Sequence, residues 1–223
     1  MRMRRKKNLE ARLAAVQPFF VDIGETTGGY DGIPFEAAPL DLAAVFQNDN
    51  PVHLEIGCGK GQFAAAIASQ HPDINFLAVE INQNVIVQAA EKAQQAGLSN
   101  LRFLRISAEH LGVLLPQDSI QRIYLNFSCP FPKKRQQKRR LTHEHFLQIY
   151  RGFLVSGGEI RQKTDNRLLF EFSLCEFSKC GFVLDFVSLD LHNSDVTDNI
   201  MTEYETRFSN LGQPIYALTA RKV

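Results

Sequence analysis

The chain of 223 residues is 44% hydrophobic and carries a formal net charge of +1 at pH 7. That length buries one sizeable core and is short for two domains of average size, and the near-neutral balance excludes a globally basic or acidic protein. Its four cysteines, Cys58, Cys129, Cys175 and Cys180, form neither a CxxC pair nor a zinc spacing, which excludes a disulfide scaffold or zinc module and fits a reducing cytoplasm.

Positive charge is local. Arg2, Arg4, Arg5, Lys6, Lys7 and Arg12 open the chain, with Glu10 and Arg12 where a secretory segment would need apolar residues. No apolar run approaches the roughly 18 residues of a membrane span, so neither secretion nor membrane insertion is expected. The segment from Asp22 to Asn50 carries Gly24, Gly28, Gly29, Gly32, Pro34 and Pro39. Residues 1–50 therefore read as a basic N-terminal arm and irregular lead-in, ahead of a folded domain over 51–223.

From Pro51 the rhythm changes to short apolar runs alternating with helical patterns, the signature of βαβ units on a mostly parallel sheet. Strands are predicted at Val52–Ile56, Asn75–Glu80, Leu101–Ile106, Ile120–Phe127, Glu159–Lys163, Phe182–Leu189 and Ile215–Ala220. Helices are predicted at Gln62–Ser69, Gln83–Gln95, a short one from Ala108, Thr142–Leu154, Asn166–Cys180 and Met201–Leu211. Gly97 and Gly181 sit where a glycine closes a helix, and Thr142 is a candidate N-cap. An open α/β sheet binds ligands beyond the carboxyl ends of its strands, and each motif below falls at such an end.

After the first strand comes Glu55-Ile56-Gly57-Cys58-Gly59-Lys60-Gly61. Glycines at every second position permit a left-handed backbone and let a ligand lie against bare main chain, ahead of a helix N-terminus with free N–H groups. The spacing is neither the dinucleotide fingerprint nor a P-loop. Glu80, about 20 residues further on, closes the second strand where a carboxylate can accept from both ribose hydroxyls of a nucleoside. Glu55, at the entry to the turn, suits a cationic ligand rather than a pyrophosphate. Together they favour S-adenosylmethionine over NAD, with a surface glutamate that meets no ligand as the alternative for either.

The run IYLNFSCPFPKKRQQKRRL, residues 123–141, starts as a buried strand and meets Pro130 and Pro132, which no central strand holds. Beyond that elbow come Lys133, Lys134, Arg135, Lys138, Arg139 and Arg140 on a predicted loop. Such clustering is the footprint of a polyanion surface, the alternative being a solvated charged loop. Asp165 follows the fifth strand and reads either as a cap or first-turn charge of the next helix or as a site residue. Thr202-Glu203-Tyr204-Glu205 spells a capping box before an apolar stripe of Met201, Tyr204, Phe208 and Leu211, and Tyr204 is expected in the core. Phe170, Phe172 and Phe177 also read as core. His143 and His145 point to different helix faces, and no metal site is expected.

LEIGCGKG, PDINFLAVE, the elbow run, KTDN at 163–166 and MTEYETRF with GQPIY carry a resemblance over nearly the whole chain to bacterial tRNA (guanine-N7)-methyltransferases. The resemblance implies a Rossmann-like class I methyltransferase: an α/β fold whose mostly parallel, seven-stranded sheet has helices on both faces and an antiparallel last strand. It implies S-adenosylmethionine as cofactor, held by Glu55, Gly57, Gly59, Gly61, Glu80 and Ser107. Lys133, Asp165, Thr202, Glu203, Tyr204 and Glu205 match positions that meet the substrate, and Arg135, Lys138, Arg139 and Arg140 match the tRNA-contacting run. The implied partner is tRNA, modified at N7 of a guanine in the variable region by a cytoplasmic monomer or homodimer with no membrane or metal requirement.

The departures cluster in the elbow, where the family pattern is close to F-x-D-P-W-P-K-K-R-H. Cys129 stands at the aspartate, which makes it the catalytic and cofactor-side position of this chain, Phe131 stands at the tryptophan and Gln136 at the histidine. Ser107 replaces another cofactor-side aspartate. Two alternatives follow from Cys129: a non-catalytic or weakened tRNA-binding homologue, and a methyltransferase for another RNA nucleobase.

Overall fold

The computed structural model describes residues 8–28, 35–209 and 212–223, with only the backbone of Glu203. Arg2, Arg4, Arg5, Lys6, Lys7, Gly29, Gly32, Pro34 and Leu211 lie outside the described residues. The chain folds as two compact units divided between Leu114 and Leu115. Its strands are β1 (Val52–Ile56), β2 (Asn75–Val79), β3 (Leu101–Leu104), β4 (Ile120–Asn126), β5 (Leu154–Thr164), β6 (Phe182–Ser188) and β7 (Tyr216–Lys222). They form one seven-stranded mixed sheet in the order β3-β2-β1-β4-β5-β7-β6.

In the first unit β1, β2 and β3 are parallel, with Val52 opposite Asn75 and Phe76 opposite Leu101. Strands β1 and β2 are buried at every residue rather than at alternate ones, the pattern of parallel strands covered on both faces. The helices α1 (Leu9–Ala15), α2 (Leu42–Phe46), α3 (Gln62–Gln70), α4 (Gln83–Gln95) and α5 (Leu111–Leu114) belong to this unit. Helix α4 runs over the predicted residues because Asn82 caps its start and Gly97, at φ 64°, closes its end with a Leu98 to Ala93 backbone bond.

The lead-in is more ordered than its glycines imply. Helix α1 buries Leu9 and is joined to α4 by Arg12, whose Nε and Nη2 donate to the two Glu91 oxygens at 2.6 and 2.5 Å. Val16 is fully buried, and the Val21 amide donates to the Phe103 carbonyl at 2.9 Å, so this segment shields the outer edge of β3. The sequence hid the helix because seven residues are too few for a period to emerge from mixed charges.

In the second unit β4 and β5 are parallel, while β7 runs antiparallel to both β5 and β6. Its helices are α6 (Glu144–Phe153), α7 (Arg167–Lys179) and α8 (Glu203–Ser209). Strand β5 begins five residues before the predicted Glu159, because α6 stops at Phe153 and the chain extends at once from Leu154. Thr142 is not the cap of α6: the cap is His143, whose Nδ1 accepts from the His145 amide at 3.1 Å. The Thr142 hydroxyl is buried instead against Ser173 at 2.8 Å.

Gly61, at φ 72°, caps the start of α3 hard against α4: a Cβ there would lie 2.5 Å from Ala89 Cβ. Gly61→Ala combines left-handed strain with overpacking, a cost of about 2–4 kcal/mol. The thermal midpoint is expected to fall by roughly 5–15 °C, measured by circular dichroism.

Candidate active site

The turn after β1 is built from amides that the protein itself consumes. Gly57 and Cys58 both donate to the Val79 carbonyl, at 2.8 and 2.9 Å, and Gly61 donates to Cys58 at 2.9 Å. Gly59 donates to Glu80 Oε2 at 3.3 Å, and the other Glu80 oxygen accepts from Asn82 at 2.8 Å. The amides of Gly57, Cys58, Gly59 and Gly61 are thus occupied within the protein, which argues against a pyrophosphate cradled by the turn itself. Gly57 and Gly59 have φ of 83° and 56°, and a Cβ on either would meet nothing within 4 Å. They present bare backbone to open space.

Two carboxylates set the charge of this turn. Glu55 is 4% exposed at the end of β1, and Glu80 stands half-buried beside Gly59. Their fields converge on the loop: burial pushes the Cys58 thiol well above its ordinary value, and the charges of Glu55 and Glu80 push it further. A negative potential over bare glycine backbone fits a sulfonium or ammonium group, so these residues suit S-adenosylmethionine. Ile81, 69% exposed next to Glu80, offers an apolar surface of the kind an adenine covers. Ser107 caps the 3₁₀ turn Ala108–His110 through a 3.4 Å bond from the Glu109 amide.

In the second unit the elbow after β4 turns through two left-handed non-glycine residues, Phe127 at φ 51° and Phe131 at φ 41°. Each costs about 1–3 kcal/mol and persists only where its surroundings hold it. The Phe127 amide donates to the Lys163 carbonyl at 2.8 Å, and Arg139 lies over the Phe131 ring at 4.6 Å. Cys129 is exposed between them. The cationic run is a 3₁₀ helix, Lys134–Arg139, rather than a loop, and Lys133, Arg135, Lys138 and Arg139 are exposed along it.

Arg140 departs from its neighbours. It is 5% exposed, donates to the carbonyls of Pro130 and Phe131 at 2.9 and 3.2 Å, and lies over the Phe172 ring at 4.5 Å. Unlike the exposed cations before it, Arg140 has its guanidinium engaged inside the protein. Phe172 is correspondingly half-buried beneath it, whereas Phe170 and Phe177 are core as expected.

The capping box at Thr202 is real, with Glu205 N donating to Thr202 Oγ1 at 2.9 Å and Thr202 N to Glu205 Oε2 at 3.3 Å. Glu205 is also fully buried and serves as a hub. Lys163 Nζ donates to Glu205 Oε2 at 2.6 Å, Asn199 Nδ2 donates to Oε1 at 2.6 Å, and His192 Nε2 lies 2.9 Å from Oε1. Both oxygens are engaged internally, so Glu205 acts on anything outside through the segment it orders. Tyr204, expected in the core, is 44% exposed: it stacks on Phe208 at 4.3 Å, tilts against Phe127 at 5.1 Å and directs its hydroxyl to Asp165 at 3.4 Å. Asn166, not Asp165, caps α7, which leaves the Asp165 carboxylate available beside Tyr204.

Lys163, His192 and Asn199 were not marked from sequence. A lysine at the end of a predicted strand, in KTDN, was the available signal for the first. Nothing local pointed to the other two. Among the described residues no group of His, Cys, Asp and Glu is placed to hold a metal, and no helix is long and apolar enough to cross a membrane.

A seven-stranded sheet with an antiparallel β7 and an acidic, glycine-rich turn after β1 defines a class I S-adenosylmethionine-dependent methyltransferase. Solved structures agree on the fold: the 16S rRNA methyltransferase KamB matches with TM-score 0.62 at 16% identity, over 89% of this chain and 99% of that one. A SAM-dependent methyltransferase from Aquifex aeolicus matches at TM-score 0.56 and 12% identity, over 82% and 88%. A family model described as "Putative methyltransferase" matches residues 49–218. A tRNA (guanine-N(7)-)-methyltransferase of Bacillus subtilis (strain 168) is 53% identical over 172 residues, 77% of this chain and 81% of the relative. One so named from Listeria monocytogenes serotype 4b (strain F2365) is 54% identical over 177 residues, 79% and 83%. The chain belongs to the tRNA (guanine-N7)-methyltransferase family.

Burial alone would raise the Glu205 carboxyl, but the charge and hydrogen bond of Lys163, with Asn199 and His192, outweigh it and the net shift is downward. A depressed folded value contributes stability above the ordinary 4.5 and loses it as pH falls through the folded value. Glu205→Gln removes the buried carboxylate that meets the Lys163 ammonium here and is expected to cost about 3 kcal/mol at neutral pH. The wild-type advantage in urea unfolding should be constant above about pH 6 and shrink as the pH falls below 4.5.

Proposed function

We propose that this chain transfers the methyl group of S-adenosylmethionine to N7 of a guanine in tRNA, in the variable region, acting in the cytoplasm as a monomer or homodimer. The observation that carries this reading is the turn after β1, whose amides are consumed internally and whose flanking Glu55 and Glu80 make it a cation site rather than a phosphate site. The relatives above, named for guanine N7 of tRNA, supply the substrate.

When bound, S-adenosylmethionine supplies an electrophilic methyl on a sulfonium sulfur. Glu55 would meet its positive charge, Gly57 and Gly59 would give it bare backbone, Glu80 would accept from the ribose hydroxyls and Ser107 would meet the adenine, while Gly61 keeps α3 on α4. Guanine N7 carries a lone pair and no proton, so no residue has to act as a general base. The chain's task is to hold the guanine in line and exclude water. Lys133, Asp165, Thr202 and Tyr204 face the guanosine in this reading, and Glu205 holds the turn that carries Thr202 and Tyr204 in place. Tyr204 offers its exposed ring for stacking and Asp165 a carboxylate acceptor for base N–H groups. Arg135, Lys138 and Arg139 take the phosphates, a contact that positions the tRNA without reading its sequence.

Cys129 occupies the elbow where the family resemblance places a carboxylate. A thiol accepts hydrogen bonds weakly, so one charge-assisted bond to base or cofactor is missing. That amounts to roughly 1.5–3 kcal/mol, or about 10- to 100-fold in rate. The enzyme is therefore active and slowed.

The reading is tested by methyl transfer into unmodified tRNA followed by chemical cleavage at N7-methylguanine. Cleavage at one guanine is expected for the wild type, and Cys129→Asp should raise the single-turnover rate by about 10- to 100-fold without moving that site. Methyl incorporation without N7-dependent cleavage would overturn the assignment of the base. An unchanged rate in Cys129→Asp would overturn the role given to the thiol.

A further inference from the structure

Arg140 lies in a run of cations yet serves the interior. Its Nε and Nη2 donate to the carbonyls of Pro130 and Phe131, at 2.9 and 3.2 Å, so one planar fork holds two successive peptide groups immediately after Cys129. The other face of the guanidinium rests on Phe172 of α7, 4.5 Å from the ring centroid. Two further contacts follow the same line: Thr142 Oγ1 lies 2.8 Å from Ser173 Oγ, and the Glu144 amide donates to Glu176 Oε2 at 2.8 Å. Residues 140, 142 and 144 therefore fasten the chain leaving the elbow to α7, whose own start carries Asn166 and, one residue earlier, Asp165. Phe131, held at φ 41°, is the residue whose carbonyl Arg140 grips, so the bond falls where the backbone most needs support.

We propose that Arg140 is a positioning residue for methyl transfer, bracing the left-handed elbow that carries Cys129 against α7, rather than a contact to tRNA phosphate. The proposal deepens the methyl-transfer reading and rests on it for its rate effects. Substituting lysine keeps the charge but cannot hold both carbonyls and the ring face together. A phosphate contact would tolerate that change, because an ammonium neutralises a phosphate as well as a guanidinium does.

The experiment uses the full chain and unmodified tRNA. Arg140→Lys is expected to lower the single-turnover rate at saturating tRNA by about 10- to 100-fold, as loss of a charge-assisted fork does. The slope of log tRNA affinity against log salt should stay at the wild-type value, whereas Arg135→Ala lowers it by about 0.7–0.9. Phe172→Leu, which leaves Arg140 in place, should show the same split to a smaller degree, and the two effects should not add. A readout independent of catalysis is alkylation of the exposed Cys129, followed by mass spectrometry against the exposed Cys175. It should accelerate in both variants as the elbow loosens.

Wild-type rate and wild-type Cys129 alkylation in Arg140→Lys would overturn the proposal, as would a salt slope lowered as in Arg135→Ala. If Arg140→Lys does not fold, Phe172→Leu decides alone, and unchanged rate and alkylation there overturn it. A wild-type protein inert towards tRNA would count against the methyl-transfer reading, and the alkylation rates would still decide the role of Arg140.

Discussion

One ammonium group, that of Lys163, draws together the segments of the second unit that carry its candidate chemistry. Its side chain reaches Asn199, the Ile200 carbonyl and Glu205, and its own carbonyl accepts the Phe127 amide at the start of the elbow. The loop after β6, the first turn of α8 and the exit of β4 are thus tied to a single residue near the end of β5. A buried ion pair gains little net stability once desolvation is counted, but it fixes which groups lie next to which. Here it orders a stretch with little secondary structure, Leu189–Thr202, whose apolar anchors are few: Leu191 packs with Ile215 and Ala217, and Val196 only partly joins them.

The two units solve opposite electrostatic problems with the same kind of device. In the first, Glu80 closes a loop by accepting from the Gly59 and Asn82 amides, so the carboxylate shapes the turn and also charges it. In the second, Arg140 closes the elbow by donating to two carbonyls, so a cation shapes a turn beside exposed cations. In both, one charged side chain substitutes for the regular hydrogen bonding that a turn gives up. A charged residue beside a ligand-facing loop therefore has two possible employments, and only its burial and partners separate them.

That ambiguity marks the limit of what was legible in the sequence. Strand β1 and helix α4 could be read to their ends because apolar runs and caps act locally, and the fold class followed from their alternation. The acidic glycine turn was legible for the same reason. Arg140 and Arg139 were indistinguishable in a run of like charges, since what separates them is a ring 32 residues further on, Phe172, brought under Arg140 by the packing of α7. Tyr204 sits at a helical spacing that predicts the core, yet α8 spans only Glu203–Ser209 and leaves the ring half in solvent. Glu205 read correctly as a capping residue, while its ties to Lys163, His192 and Asn199 join positions that no periodicity links.

The elbow shows why a thiol can stand where a carboxylate is expected. Its shape comes from Phe127 and Phe131, from the Lys163 carbonyl and from the Arg140 fork, and none of these involves the side chain at position 129. Replacing a carboxylate there changes one acceptor and leaves the backbone path intact. In a reaction that moved a proton, the loss of that acceptor would remove the base and with it the mechanism. Transfer to a lone pair on guanine N7 moves none, so the barrier depends on alignment, which is spread over a framework that Cys129 does not support.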